Sequence, residues 1–93
     1  MFYVYLIRSE VFPERRYVGF TTDLKKRLAA HNAGSSVHTS KYTPWKLIGY
    51  HAFVDKRRAQ KFEYYLKSGS GKAFANRHLW EVLVTMTAFL YFA

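Results

Sequence analysis

The sequence contains no cysteine. This excludes disulfide stapling, thiolate metal sites and thiol catalysis, and it points to folding in a reducing compartment, the cytoplasm. Acidic residues are scarce, with six Asp and Glu against 15 Lys and Arg, a formal net charge of +9. That field favours a polyanionic partner, nucleic acid before an anionic membrane surface. No internal repeat, linker or low-complexity stretch interrupts the chain. Long apolar runs are missing as well. Met1 to Ile7 is apolar but ends at Arg8 and has neither a charged leader nor a small-residue cleavage site, so it reads as a first strand and not a signal peptide. The apolar tail from Leu79 is broken by Glu81 and falls short of the roughly 20 residues that a membrane helix needs. No membrane partner is expected.

What remains is a chain of 93 residues, enough for one domain, with an aromatic share of 19% to fill a small core. Phe2 to Arg8 and Arg16 to Thr21 are rich in aromatic and β-branched residues and read as a hairpin joined by the loop Ser9 to Arg15. Thr22 and Asp23 provide an N-cap for a helix from Leu24 to Asn32, which stops at Gly34. Ser35 to Pro44 is polar and irregular, with room for a short helical turn. Trp45 to Val54 is a third strand. Asp55 caps a helix of about Lys56 to Lys67, and the run Ser68-Gly69-Ser70-Gly71 breaks it. A last short helix covers roughly Lys72 to Trp80. The order ββα–loop–βαα predicts an α+β domain, an α/β sandwich with a small three-stranded antiparallel sheet flanked by helices. The tail, 81–93, belongs to the same single domain as a docked segment; the alternative is an exposed element that pairs two copies into a homodimer.

Several residues go beyond packing. Arg27 and His31 lie one helical turn apart, beside Leu24 and Leu28 at the edge of the buried stripe. A cation there can meet a phosphate bidentately, or pair with a carboxylate, while His31 at the helix end is favoured by the dipole. Glu63 falls among Ala59, Phe62 and Leu66, where a carboxylate must be neutralised, paired or bound to metal. The other acids sit in the hairpin loop, at helix starts or after the last helix. A single carboxylate suits Mg²⁺ (or Mn²⁺), which keeps most of its waters; an ion pair with Arg27 is the alternative. Tyr3, Tyr5 and Tyr17 are each explained as strand aromatics, whereas Gly19 implies a close approach to the backbone. His38, with Lys41 and Lys46 nearby, reads as substrate-facing. The four histidines lack zinc spacing. Ser68 to Lys72 lacks the spacing of a phosphate loop and follows a helix.

Taken together, these residues resemble the GIY-YIG nuclease superfamily. Tyr3-Val4-Tyr5 stands at the first motif and Tyr17-Val18-Gly19 at the second. Phe20 to Leu28, continuing to His31-Asn32, resembles the arginine-bearing helix, and Glu63 resembles the metal-binding glutamate. The resemblance extends over most of residues 2–80, and His38-Thr39 and Pro44-Trp45 are similar to the small stand-alone bacterial members. Gly-Ile-Tyr is here Tyr-Val-Tyr, and Phe20 stands where excision-repair members carry a lysine. Asn76 resembles an asparagine of some members. The resemblance implies a nuclease domain over residues 1–80 and Mg²⁺-dependent hydrolysis of DNA. Glu63 would hold the metal, Arg27 the scissile phosphate, and Tyr5 or Tyr17 would take a proton from water, with His31 as an outside candidate. With no second domain to read sequence, selection of DNA shape and a role in repair or recombination are expected. A binding module of the same fold without turnover is the principal alternative, and a scaffold working through the tail is another. The enzyme alone should need a divalent metal.

Overall fold

The computed structural model describes residues 1–80, and the tail readings for 81–93 lie outside them. The central strand is β1 (Phe2–Ser9), flanked by β2 (Arg16–Thr21) on one side and β3 (Trp45–Phe53) on the other. Both pairings are antiparallel, as expected. β1 is central because both of its faces are apolar. Val4 and Leu6 point to one side, Tyr5 and Ile7 to the other, and all four are buried. Burying an apolar side chain of this size contributes about 1.5–3 kcal/mol, so the strand is anchored from both directions. An irregularity between Leu6 and Ile7 in the β1–β3 register pairs Ile7 with Leu47 and not with Ile48, so Leu47 joins the Tyr5 face and Ile48 the Val4 face.

Helix α1 (Leu24–Asn32) covers the Tyr5 face, with Leu24 and Leu28 packed on Tyr5, Ile7 and Trp45. Its N-cap is Asp23, whose carboxylate accepts from the Lys26 amide at 3.0 Å. A 3₁₀ turn, Ser40–Tyr42, closes the same face. Helix α2 (Lys56–Leu66), capped by Asp55, and α3 (Gly69–Ala75) cover the Val4 face through Ala59, Leu66 and Ala75.

The region after α2 differs from expectation. Ser68 to Gly71 is not a four-residue break: Ser68 is the N-cap of α3, its hydroxyl accepting from the Gly71 amide at 3.2 Å. The glycine at 71 serves close packing. A Cβ there would overlap the Tyr65 carbonyl and come within 2.8 Å of the Leu66 Cα, so α3 can turn back onto α2 only with glycine at that position. The last helix divides at Asn76 into α3 and a π-helical turn, Asn76–Trp80, which buries Trp80 against the core.

Candidate active site

The structure brings Tyr5, Arg27 and His31 into one hydrogen-bonded cluster on the α1 face of the sheet. Leu24, Leu28 and His31 recur at i, i+4 and i+7, so the imidazole continues the buried stripe of α1. His31 is fully buried and does not trim the helix end. Its Nε2 lies 2.7 Å from Tyr5 Oη and its Nδ1 2.7 Å from Thr39 Oγ1. Arg27 Nε donates to Tyr5 Oη at 3.2 Å. With that lone pair taken, the Tyr5 proton is directed to His31 Nε2, which leaves the imidazole proton on Nδ1 to be donated to Thr39. Tyr17 is half-buried beside them, its ring 5.3 Å from that of His31.

Electrostatics separate the roles. Burial pushes the Tyr5 phenol above its ordinary pKa of 10.0, and the opposing pull of Arg27 does not reverse the shift. The Arg27 charge therefore does not depress the Tyr5 phenol below its ordinary value. His31 is shifted below 6.5, first by burial and then by the Arg27 charge, so it is neutral at physiological pH. Arg27 is held more firmly protonated, chiefly by its hydrogen bond to Tyr5, with Tyr17 contributing less.

Gly19 lies opposite Tyr5 in the β1–β2 register. A Cβ at Gly19 would fall 2.8 Å from Tyr5 Cε1 and closer still to Cζ and Oη. The close approach read from the sequence is thus the Tyr5 ring itself, which fills the space a Cβ at Gly19 would take.

Glu63 lies next to the apolar face of α2, not within it. Its side chain is 23% exposed, and Oε2 pairs with Lys67 Nζ at 3.1 Å, not with Arg27. Its charge is the smallest of the influences that raise the Tyr5 pKa. Lys67 Nζ also sits over the Tyr17 ring, 5.7 Å from its centroid. A cleft of about 350 Å³ opens here, lined by Arg16, Tyr17, Lys67, Lys72, Asn76 and Trp80 among others. Asn76 lines it, its Oδ1 accepting from Arg16 at 2.9 Å.

The remaining expected residues are dispersed. His38 and Lys41 are exposed on the segment after α1. Lys46 pairs with Arg8 and shares a groove with Arg8 and Ile48 on the opposite sheet face from Tyr5. Residues not singled out as site groups, Thr39 and Asn32, secure the cluster. Thr39 is fully buried, and its carbonyl accepts from Trp45 Nε1 at 2.8 Å. Asn32 bridges to both the amide and the carbonyl of Trp45. The signal for Thr39 was its polarity next to His38; nothing local marked it as buried.

Comparison with known proteins bears on the family of the chain. A family model described as the GIY-YIG catalytic domain matches residues 1–77. The UPF0213 protein CPE1444 of Clostridium perfringens is 42% identical over 71 residues, covering 72% of this chain and 71% of that protein. The UPF0213 protein SpyM3_1077 of Streptococcus pyogenes serotype M3 is 42% identical over 62 residues, 66% of this chain and 65% of its own length. The solution NMR structure of the UPF0213 protein BH0048 from Bacillus halodurans is 30% identical, with a TM-score of 0.46 over 92% of this chain and 85% of that one. A three-stranded antiparallel sheet flanked by helices, together with a family match across four-fifths of the sequence, leads to one conclusion: the chain belongs to the GIY-YIG family.

Proposed function

We propose that residues 1–80 form a divalent-metal-dependent DNA endonuclease that hydrolyses one phosphodiester at the Tyr17–Glu63 edge of the sheet. The observation that supports this most is the fixed guanidinium of Arg27. Its Nε is committed to Tyr5, with Tyr17 also engaging the guanidinium, so the group is oriented before a phosphate arrives.

The residues present fit a hard metal ion. Glu63 is partly exposed and its carboxylate already attracts a cation. Asp23 and Asp55 are occupied as helix caps. No group of three or more His, Cys, Asp or Glu gathers among the described residues, a donor set that suits Mg²⁺ or Mn²⁺ retaining its waters. Glu63 would hold the ion, whose chemistry when bound is Lewis-acid stabilisation of the leaving oxygen.

The chain's own residues supply the rest. Arg27 binds the scissile phosphate and balances charge as it develops there. Tyr5 stays protonated, because burial holds its pKa high; it orients Arg27 and gives its hydrogen to His31. His31, fully buried, has no access to an attacking water and acts through Tyr5. Tyr17 faces the cleft and is the residue placed to take a proton from water.

Guanidinium, ammonium and phenol groups around this edge suit contacts to phosphate. This favours selection of DNA by shape, as at flaps, nicks or branches, and a role in repair or recombination. No helix among the described residues is long and apolar enough to cross a membrane. The test is incubation with end-labelled linear, nicked, flapped and branched DNAs, with and without Mg²⁺. Cleavage of at least one branched substrate only with metal is expected. Binding without cleavage of any DNA in Mg²⁺ or Mn²⁺ would replace the enzyme with a binding module.

A further inference from the structure

Lys67 is the residue at this edge that the proposed reaction does not use. It is the C-cap of α2, one turn after Glu63, and its side chain is 51% exposed. A lysine so exposed can extend into solvent at little cost. Instead its ammonium rests 3.1 Å from Glu63 Oε2, with the Tyr17 ring beneath it at 5.7 Å. The order Glu before Lys at i,i+4 favours this contact, and the ring face adds a weak attraction for the same cation. The carboxylate oxygen that a metal would take is thereby covered by a charge of the metal's own sign.

We infer that Lys67 is a resident counter-cation on Glu63 that a divalent ion must displace, so that this lysine sets the metal affinity of the site. The inference rests on the reading of Glu63 as the metal ligand. Two contributions oppose the ion. Breaking an exposed i,i+4 pair accounts for about a twofold loss of affinity. Repulsion between a divalent ion and an ammonium about 6 Å away in a water-like medium accounts for up to roughly tenfold. The displaced ammonium remains in the cleft with Lys72, where a DNA phosphate can receive it. Binding of DNA and loading of metal would then favour each other, and the free protein would hold metal weakly.

The test is titration of the metal alone, without DNA, into the full chain, following bound Mn²⁺ by electron paramagnetic resonance. Lys67→Met should bind Mn²⁺ three- to tenfold more tightly than the parent, and Lys67→Arg should remain within twofold of it. Lys61→Met is the control, removing the same charge from an exposed position two residues before Glu63. Lys67→Gln, checked by circular dichroism, serves if the methionine variant folds poorly. Equal affinities for Lys67→Met and Lys61→Met would overturn the inference while leaving Glu63 as the ligand. Tightening that persists in a Glu63→Gln background would also overturn it, because the lysine would then act elsewhere. Failure of both the parent and Lys67→Met to bind Mn²⁺ would remove the metal role of Glu63, and the inference with it.

Discussion

Gly19→Ala perturbs the centre of the cluster through a single methyl group. The added Cβ meets the Tyr5 ring, which is packed among Ile7, Trp45, Leu24 and Leu28 and cannot retreat without moving them. Overpacking of this kind costs about 1–3 kcal/mol. Displacing the phenol also separates Tyr5 Oη from His31 Nε2 and Arg27 Nε, and a buried nitrogen left without a partner costs about 1–3 kcal/mol more. The sum is about 2–6 kcal/mol, a large share of the stability of a domain this size. Each kcal/mol lowers the melting temperature of such a domain by about 4–8 °C, so the loss should be about 10 °C or more by circular dichroism. The decisive comparison is the same substitution in a Tyr5→Leu background, where the clashing Cζ, Cε1 and Oη are gone. There Gly19→Ala should cost less than about 0.5 kcal/mol, a coupling that only residues in contact produce. Equal cost in both backgrounds would refute the account of Gly19 as the seat of the Tyr5 ring.

Three further outcomes follow from the same geometry. Tyr17→Phe should lower the cleavage rate about 10²–10⁴-fold with little change in melting temperature, whereas Tyr5→Phe should lower stability more than rate; a pH–rate profile of both variants checks this. Arg27→Ala should reduce cleavage by roughly 10²-fold or more in single-turnover assays while DNA binding, spread over the basic surface, changes only a few-fold. His31 contributes to stability through a pKa below its unfolded value of about 6.5. That contribution is complete above this value and is lost as the pH falls below it, because the unfolded chain then binds the proton first, with a slope of at most about 1.4 kcal/mol per pH unit. Urea denaturation between pH 7 and 5 should show this slope in the parent and a flatter one in His31→Gln.

Much of the fold was legible because local signals agreed. The strands followed runs of aromatic and β-branched residues, and the capping aspartates 23 and 55 began α1 and α2 where expected. The antiparallel three-stranded sheet followed from the order of elements. The spacing of Arg27 and His31 placed both at one edge of α1, but the depth of His31 depends on Thr39, which arrives from a loop. Glu63 and Lys67 form a pair readable at i,i+4, yet the apolar neighbours Ala59, Phe62 and Leu66 drew the carboxylate into the core on paper. Lys46 lies away from the cluster because register, not sequence proximity, determines which sheet face it joins. The glycines at 19 and 71 were visible as glycines, but what approaches them is decided by tertiary packing.

The central claim, that Glu63 anchors a metal-dependent hydrolysis, is tested most directly by Glu63→Gln. This change keeps side-chain volume, removes the charge and the metal ligand, and costs only an exposed ion pair with Lys67, worth about 0.3–0.5 kcal/mol. Single-turnover cleavage of an end-labelled branched DNA in Mg²⁺ is the measurement, with binding of the same DNA followed in parallel. The account predicts no detectable cleavage and DNA affinity equal to or above that of the parent. A folded Glu63→Gln protein that cuts at the parental rate would contradict it.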